Sequence, residues 1–169
     1  MKIKQKYTKD TKSFVFPLDL TKVDVLGDIL LSCKLSSVYL DLYSVLDKNS
    51  CIQRAMENNL FEELHIDGED KDIYNFSIKI HSERITSFLS DIQNSNCIFE
   101  DFNIWSCDTS TEQHLKDIWE PEPFLPFKKK QSQDLYTFYL NYKEGEALIV
   151  CDLDKYPNLS KKFLCSLLN

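Results

Sequence analysis

The stretch Asp134–Asp154, DLYTFYLNYKEGEALIVCDLD, decides the fold of this chain. Two β-prone runs flank a polar turn that contains Gly145, a pattern that predicts a β-hairpin. The second run, Ala147–Cys151, is apolar at every position rather than at alternate ones. A strand that is covered on both faces has this pattern. We therefore expect the second arm to lie inside a sheet and not at its edge.

Other strands and helices follow from hydrophobic periodicity. Apolar residues at helical spacing predict helices over 24–33, 50–58, 82–92, 112–119 and 159–168. The predicted caps are Thr21, Ser82 and Thr109, with Asp24 and Glu112 completing two capping boxes. Runs of β-prone residues predict strands over 13–16, 38–46, 60–66, 73–80 and 97–107, with the polar turn Asp67–Asp72 between two of them. Apolar and polar residues alternate along the strand over 73–80, so we expect one face of that hairpin to be exposed to solvent.

Two segments are expected to be irregular. Residues 1–12 are basic and carry no apolar pattern, which predicts a frayed end. Residues 119–130, WEPEPFLPFKKK, contain three prolines that exclude helix and central strand. The whole chain of 169 residues has the length of one domain. The order of elements predicts a single α+β domain over 1–169, with four to five helices on a mainly antiparallel sheet.

The cysteines and the N-terminus indicate a compartment. The six cysteines are scattered, and no two form a C-x-x-C motif. The first residues have no apolar core of a signal peptide, and no apolar run approaches the roughly 20 residues needed to cross a bilayer. We therefore expect reduced, mostly buried thiols in a cytoplasmic protein that does not enter membranes.

The charge is unevenly distributed. The net charge of −7 argues against a direct nucleic-acid partner, because phosphate binding needs a basic surface. Residues 1–12 hold five lysines and one acid, whereas residues 60–72 hold six acids and one lysine, and residues 100–122 hold seven acids and one lysine. The acidity is thus concentrated in the middle of the chain.

The run Leu148–Asp154, LIVCDLD, resembles the first motif of haloacid-dehalogenase-like phosphatases. In that family an apolar strand ends in Asp-x-Asp, the first aspartate attacks phosphorus, the second acts as acid and base, and Mg²⁺ bridges them. The resemblance assigns these roles to Asp152 and Asp154. The chain departs from the family in the Lys155-Tyr156 that follows and in the short remaining length, which leaves no large α/β domain after the motif.

Other catalytic and metal motifs are missing from the sequence. The histidines at 65, 81 and 114 have neither i, i+4 partners nor cysteines at finger-like spacing, and we expect them at the surface. The acids of Asp67–Asp72 lack the D-x-D-x-D-G pattern of a calcium loop. The chain is too poor in glycine for a phosphate-binding loop. We therefore predict no cofactor and no metal site.

The acidic segments remain as a candidate contact surface. Carboxylates would steer a basic partner and aromatic side chains would anchor it. The predicted partner-binding residues are Glu69, Asp70, Asp72, Glu100, Asp101, Trp105, Asp108, Glu112, Asp117, Trp119, Glu120 and Glu122.

This surface gives the function hypothesis. The profile is that of a cytoplasmic immunity protein or antitoxin, of bacterial or phage origin, that occludes a basic toxin or nuclease. Two alternatives stay open. The chain is an interaction subunit that docks a larger assembly through Trp119–Phe127, or it is a metal-dependent hydrolase that uses Asp152 and Asp154. The sequence does not predict an oligomeric state.

Overall fold

A computed structural model of the chain describes residues 2–46, 53, 57–58, 62–70, 73–94, 98–119 and 136–169, without the side chains of 64, 67–70 and 117–119. Eight strands form one sheet: β1 Lys4–Tyr7, β2 Thr11–Pro17, β3 Ser37–Leu46, β4 Glu63–Asp70, β5 Ile73–His81, β6 Asp101–Ser106, β7 Phe138–Lys143 and β8 Glu146–Asp152. Four α-helices occur in the described residues: α1 Asp24–Ser32, α2 Ile85–Asn94, α3 Thr111–Trp119 and α4 Lys161–Leu168. The prediction of an α+β fold on an antiparallel sheet is confirmed.

The sheet has the strand order β1-β2-β8-β7-β6-β3-β5-β4, and every neighbouring pair is antiparallel. The hairpin predicted over 134–154 is present as β7 and β8. Its two turn residues, Glu144 and Gly145, have φ of 50° and 82°, the left-handed pair that a two-residue hairpin turn requires. Strand β8 lies between β2 and β7, so its predicted place inside the sheet is confirmed.

The main core lies on the face of the sheet that α1, α2 and α4 cover. Ala147, Ile149 and Cys151 of β8 are buried there, while Leu148 and Val150 point to the other face and are half-buried. The expected coverage of β8 on both faces is therefore only partial, because one face is fully buried and the other is half-buried. Helix α2 confirms its predicted stripe, since all four apolar positions are buried: Ile85, Phe88, Leu89 and Ile92.

The described N-terminal residues are not frayed. Strand β1 pairs with β2 from Lys4 with Val15 to Tyr7 with Lys12. Its side chains are largely exposed, so backbone hydrogen bonds hold it at the edge of the sheet. Polar edge strands leave no apolar pattern, and this is why periodicity did not predict β1.

A β-bulge changes the faces of β3. Ser44 has a left-handed φ of 53°, and the register between β3 and β5 shifts between Leu42 and Val45. Because the bulge adds one residue, Val45 turns to the helix-covered core, where it is fully buried. Strict alternation along β3 would put Val45 on the opposite face, with Tyr39.

The predicted turn between β4 and β5 is shorter than expected. Asp67 pairs with Asn75 and Asp70 with Ile73, so β4 continues through most of the polar run. The wet face predicted for this hairpin is wrong at Ser77, which is 5 % exposed.

The residues that cap the helices differ from the predicted ones. A 3₁₀ turn, Leu20–Lys22, precedes α1, and Asp19 accepts the Thr21 backbone N–H. Ser82 begins a second 3₁₀ turn, and its buried hydroxyl has no hydrogen-bond partner among the described residues. Ser110, not Thr109, accepts the N–H of Gln113 at the start of α3. Several Ser, Thr and Asp residues compete at each site, and the local sequence does not rank them.

Two further expectations overlap only slightly with the described residues. Most of the predicted helix over 50–58 and most of the predicted loop over 119–130 lie outside the described residues. Within the described part of the chain, no helix is long and apolar enough to span a membrane.

Candidate functional site

A polar cluster occupies the second face of the sheet, beneath α3. The register pairs Tyr39 with Trp105 and Asp41 with Ser77 on neighbouring strands, so these four side chains share that face. All four are at most 5 % exposed. The second face therefore has a buried interior of its own, which combines an aromatic cluster with buried polar groups.

Asp41 is the centre of this cluster. Its Oδ1 accepts hydrogen bonds from the Ser77 hydroxyl and from His114 Nε2, at 3.1 Å from the histidine. Its Oδ2 accepts from Trp105 Nε1 at 2.6 Å. A fully buried carboxylate is costly unless it is hydrogen-bonded, and these three donors satisfy it.

His114 joins α3 to the sheet. Its ring stacks on Tyr39 with centroids 4.0 Å apart and planes 11° apart. Its Nδ1 lies 2.7 Å from the Tyr136 hydroxyl. Since Nε2 faces the Asp41 carboxylate, it is the nitrogen that carries a proton in either charge state, and in the neutral ring Nδ1 accepts from Tyr136. The Tyr39 hydroxyl also donates to the Thr109 carbonyl at 2.8 Å.

The carboxylate, imidazole and hydroxyl form a chain like that of a hydrolase proton relay. The terminal hydroxyl belongs to Tyr136, which is only 7 % exposed. The three groups bind one another and leave no open nucleophile. We therefore interpret Asp41, His114 and Tyr136 as an anchor for α3.

This cluster was missed in the sequence. His114 was expected at the surface and is fully buried. One signal was present, because Asp41 interrupts an otherwise apolar strand. A charge at such a position needs buried partners, but nothing in the sequence identifies them as Ser77, Trp105 and His114.

A cavity of about 350 Å³ adjoins the cluster, between α3 and strands β3 to β5. The lining side chains that bear on its chemistry are Tyr39, Glu63, His65, Ser77, Lys79 and Thr111. Beside the cavity, Lys79 Nζ lies 3.3 Å from Glu62 Oε2, and His81 Nε2 lies 2.8 Å from Glu62 Oε1. The hydrogen bond to Glu62 is the main reason why the Lys79 pKa is raised.

The predicted partner-binding residues from 100 to 112 do not form one patch. Glu100 and Asp101 stand at the end of β6 where Asp101 pairs with Lys143, and Asp108 follows the opposite end. Glu112 is exposed on α3 in an ion pair with Lys116. Trp105 is 3 % exposed and bound to Asp41. The expectation that Trp105 projects into a partner is wrong, because its indole completes the buried cluster.

Asp108 has a local structural role. Its carboxylate accepts hydrogen bonds from the Ser106 hydroxyl, the Thr137 N–H and hydroxyl, and Lys155 Nζ. Burial favours the neutral acid, but these donors outweigh it and lower the pKa of Asp108 to about 2. The residue thereby ties the end of β6 to the beginning of β7 and to the segment after β8.

The structure describes the backbone of four further predicted partner-binding residues. The backbone of Glu69 and Asp70 lies in β4, and that of Asp117 and Trp119 lies in α3. The paired positions place Asp70 at the same end of the sheet as Asp101, three strands away. Asp72, Glu120, Glu122 and all but the first residue of the Trp119–Phe127 loop lie outside the described residues.

The Asp-x-Asp motif has a local role in the structure. Oδ1 of Asp152 accepts the backbone N–H groups of Asp154 and Lys155, both at 2.9 Å, and so shapes the turn after β8. The residues that the structure describes contain no group of three or more His, Cys, Asp or Glu side chains placed to hold a metal ion. Cys33, Cys107, Cys151 and Cys165 are unpaired.

Comparison with known proteins gives no family. No protein-family model matches the chain, and no curated protein matches it. The solved structures that are similar include the regulatory subunit of aspartate kinase from Thermus thermophilus in its ligand-free form, at 9% identity and a TM-score of 0.30, covering 80% of this chain and 94% of that one. Another is a structure of aspartokinase alpha and beta subunits, at 9% identity and a TM-score of 0.26, covering 79% and 90%. Similarity at these TM-scores supports no functional conclusion.

Proposed function

We propose that this chain is an acidic binding protein that occludes a basic protein partner, in the manner of an immunity protein or antitoxin acting on a toxin or nuclease. The observation that carries the proposal is the separation of charge across the sheet. Lys4 and Lys6 lie in β1 at one edge, and Glu63, Asp67, Glu69 and Asp70 lie in β4 at the other. Seven strand spacings separate these edges, roughly 34 Å.

The acidic edge suits an extended basic segment. Strand β4 ends the sheet in the described part of the chain, so its outer backbone groups face away from β5. An edge strand of this kind binds an added strand through backbone hydrogen bonds. The carboxylates along β4 then select a partner strand rich in lysine or arginine.

Electrostatics also favours rapid encounter with such a partner. A field of one sign along an edge steers an oppositely charged protein and raises the association rate, more so at low salt. A nuclease cleft that attracts phosphates would attract these carboxylates equally well. An inhibitor of this type would act in the cytoplasm, and the unpaired state of the four described cysteines supports that compartment.

Affinity capture from the native lysate at low and high salt tests the proposal. We expect one stoichiometric basic protein at low salt, whose activity is abolished in the complex. An empty eluate at both salt concentrations from the folded protein would refute the proposal.

Two charge-reversal double variants then test whether the β4 edge is the contact surface. The double variant Asp67→Lys, Glu69→Lys should slow association about tenfold in stopped-flow measurements at low salt. The matched control is Glu144→Lys, Glu146→Lys, which changes the charge equally at the exposed β7–β8 turn. Equal association rates for the two variants would exclude the β4 edge as the contact surface.

A further inference from the structure

We infer that the cavity between β4, β5 and α3 binds a small organic cation, an amine or guanidinium group on a short apolar stem. The inference deepens the proposed function, since a basic partner carries such groups on its lysine and arginine side chains. The cavity volume of about 350 Å³ lies at the lower end of the range for small-molecule sites.

The inner wall of the cavity is buried, and its opening is exposed to solvent. Tyr39, Ser77 and His114 are each at most 5 % exposed, whereas Glu63 is exposed and His65 is half-buried. A ligand would therefore lose water along its stem and keep one end near the solvent. The half-buried Leu115 adds apolar surface to the wall.

Of the two glutamates at the opening of the cavity, Glu63 is the one available to a ligand. The Lys79 ammonium is paired with Glu62, and Glu62 also contacts His81. Glu63 makes no ion pair within the described residues and lines the cavity. Glu62 and Glu63 thus place two carboxylates beside one lysine at the opening, and this excess of negative charge favours a cationic ligand.

The hydroxyl groups inside the cavity offer acceptors. Ser77 donates its proton to Asp41, so its oxygen is left to accept from a ligand. Both ring nitrogens of His114 are already engaged, with Asp41 and Tyr136. The Thr111 hydroxyl also lines the cavity and has acceptor lone pairs. A group rich in N–H donors complements these oxygens, whereas the Ser77 hydroxyl, which already donates to Asp41, has no proton left for a carboxylate ligand.

Titration with n-butylguanidinium, followed by two-dimensional amide NMR, tests the inference. We expect saturable shifts at Ser77, Lys79 and Thr111 at millimolar ligand, and no such shifts with butyrate, which has a similar stem and the opposite charge. Glu63→Gln should weaken binding about tenfold, the effect of losing one charge-assisted hydrogen bond. Glu83→Gln, an exposed glutamate on the 3₁₀ turn after β5, should bind like the native chain.

Three results would overturn the inference: no saturable shifts with n-butylguanidinium, equal affinities for the two variants, or tighter binding of butyrate. Addition of the captured partner separates the sources of the cation. Displacement of n-butylguanidinium identifies a side chain of the partner, and retention identifies a free small cation. A failure to capture any basic partner would refute the proposed function and leave the titration unaffected.

Discussion

His114 Nε2 and Asp41 Oδ1 lie 3.1 Å apart in a site where both side chains are completely buried. The pair joins α3 to the third strand of the chain across the second face of the sheet. Each group provides a hydrogen-bond partner for the other in a site shielded from solvent. The loss of either side chain should therefore lower the free energy of unfolding of the whole domain.

Replacement of His114 by alanine should destabilise the protein by about 3 kcal/mol or more, since it leaves a buried carboxylate short of a donor. Urea unfolding followed by circular dichroism measures the change. His81→Ala is the control, because His81 is exposed and its contact with Glu62 should contribute less than about 1 kcal/mol. Equal stability of the two variants would contradict the anchoring role of His114.

Asp108→Asn should alter the dependence of stability on acid. The folded pKa of Asp108, about 2, is below its ordinary 3.8, so the carboxylate stabilises the fold at neutral pH and loses that effect as the pH falls through this window. With allowance for solvent screening of a partly exposed group, the variant should lose about 1 kcal/mol at neutral pH. Its deficit relative to the native chain should shrink towards pH 2. Asp154→Asn, which makes the same side-chain change at an exposed position, is the matched control.

Lys34→Gly should stabilise the protein by about 1 kcal/mol. Lys34 follows α1 with a left-handed φ of 54°, and the N–H groups of Lys34 and Leu35 bond to the carbonyls of Leu31 and Leu30. This is a Schellman motif, in which glycine avoids the steric cost of a Cβ atom. Thermal unfolding measures the gain. Lys22→Gly removes the same charge where φ is not positive, and a gain there too would contradict the explanation.

The buried thiols should resist alkylation in the folded state. Burial raises the pKa of Cys33 to about 11 and that of Cys151 to about 12, so almost no thiolate exists near neutral pH. Iodoacetamide labelling followed by peptide mass spectrometry should modify both residues only after denaturation in urea. Rapid labelling of the native protein at either residue would contradict their burial.

The strands were predictable where one face is strictly apolar. Phe76, Ile78 and Ile80 alternate along β5 and are all buried as expected. Val45 departs from strict alternation because the bulge at the left-handed Ser44 adds one residue, and the apolar pattern does not mark where a bulge occurs. Strand β1 was missed because backbone pairing, which leaves no trace in side-chain pattern, holds it in place.

The site was less predictable than the fold. The charge of Asp41 within an apolar strand was visible, but its partners come from β5, β6 and α3 and are brought together by register. The acidic segments were visible as composition, yet composition did not reveal that Glu100 and Asp108 flank opposite ends of one strand. A pattern that is local in sequence identifies elements, whereas a site depends on how distant elements meet.

The pairing of β2 with β8 has a consequence for biosynthesis. Thr11 pairs with Asp152, so the β1–β2 hairpin joins the sheet through a strand that lies far along the sequence from it. A nascent chain emerging from the ribosome carries β1 and β2 long before their neighbour is made, and contacts of such separation form slowly. Native closure of the sheet must therefore wait until β8 has been synthesised, and until then the β1–β2 hairpin lacks the strand that it pairs with.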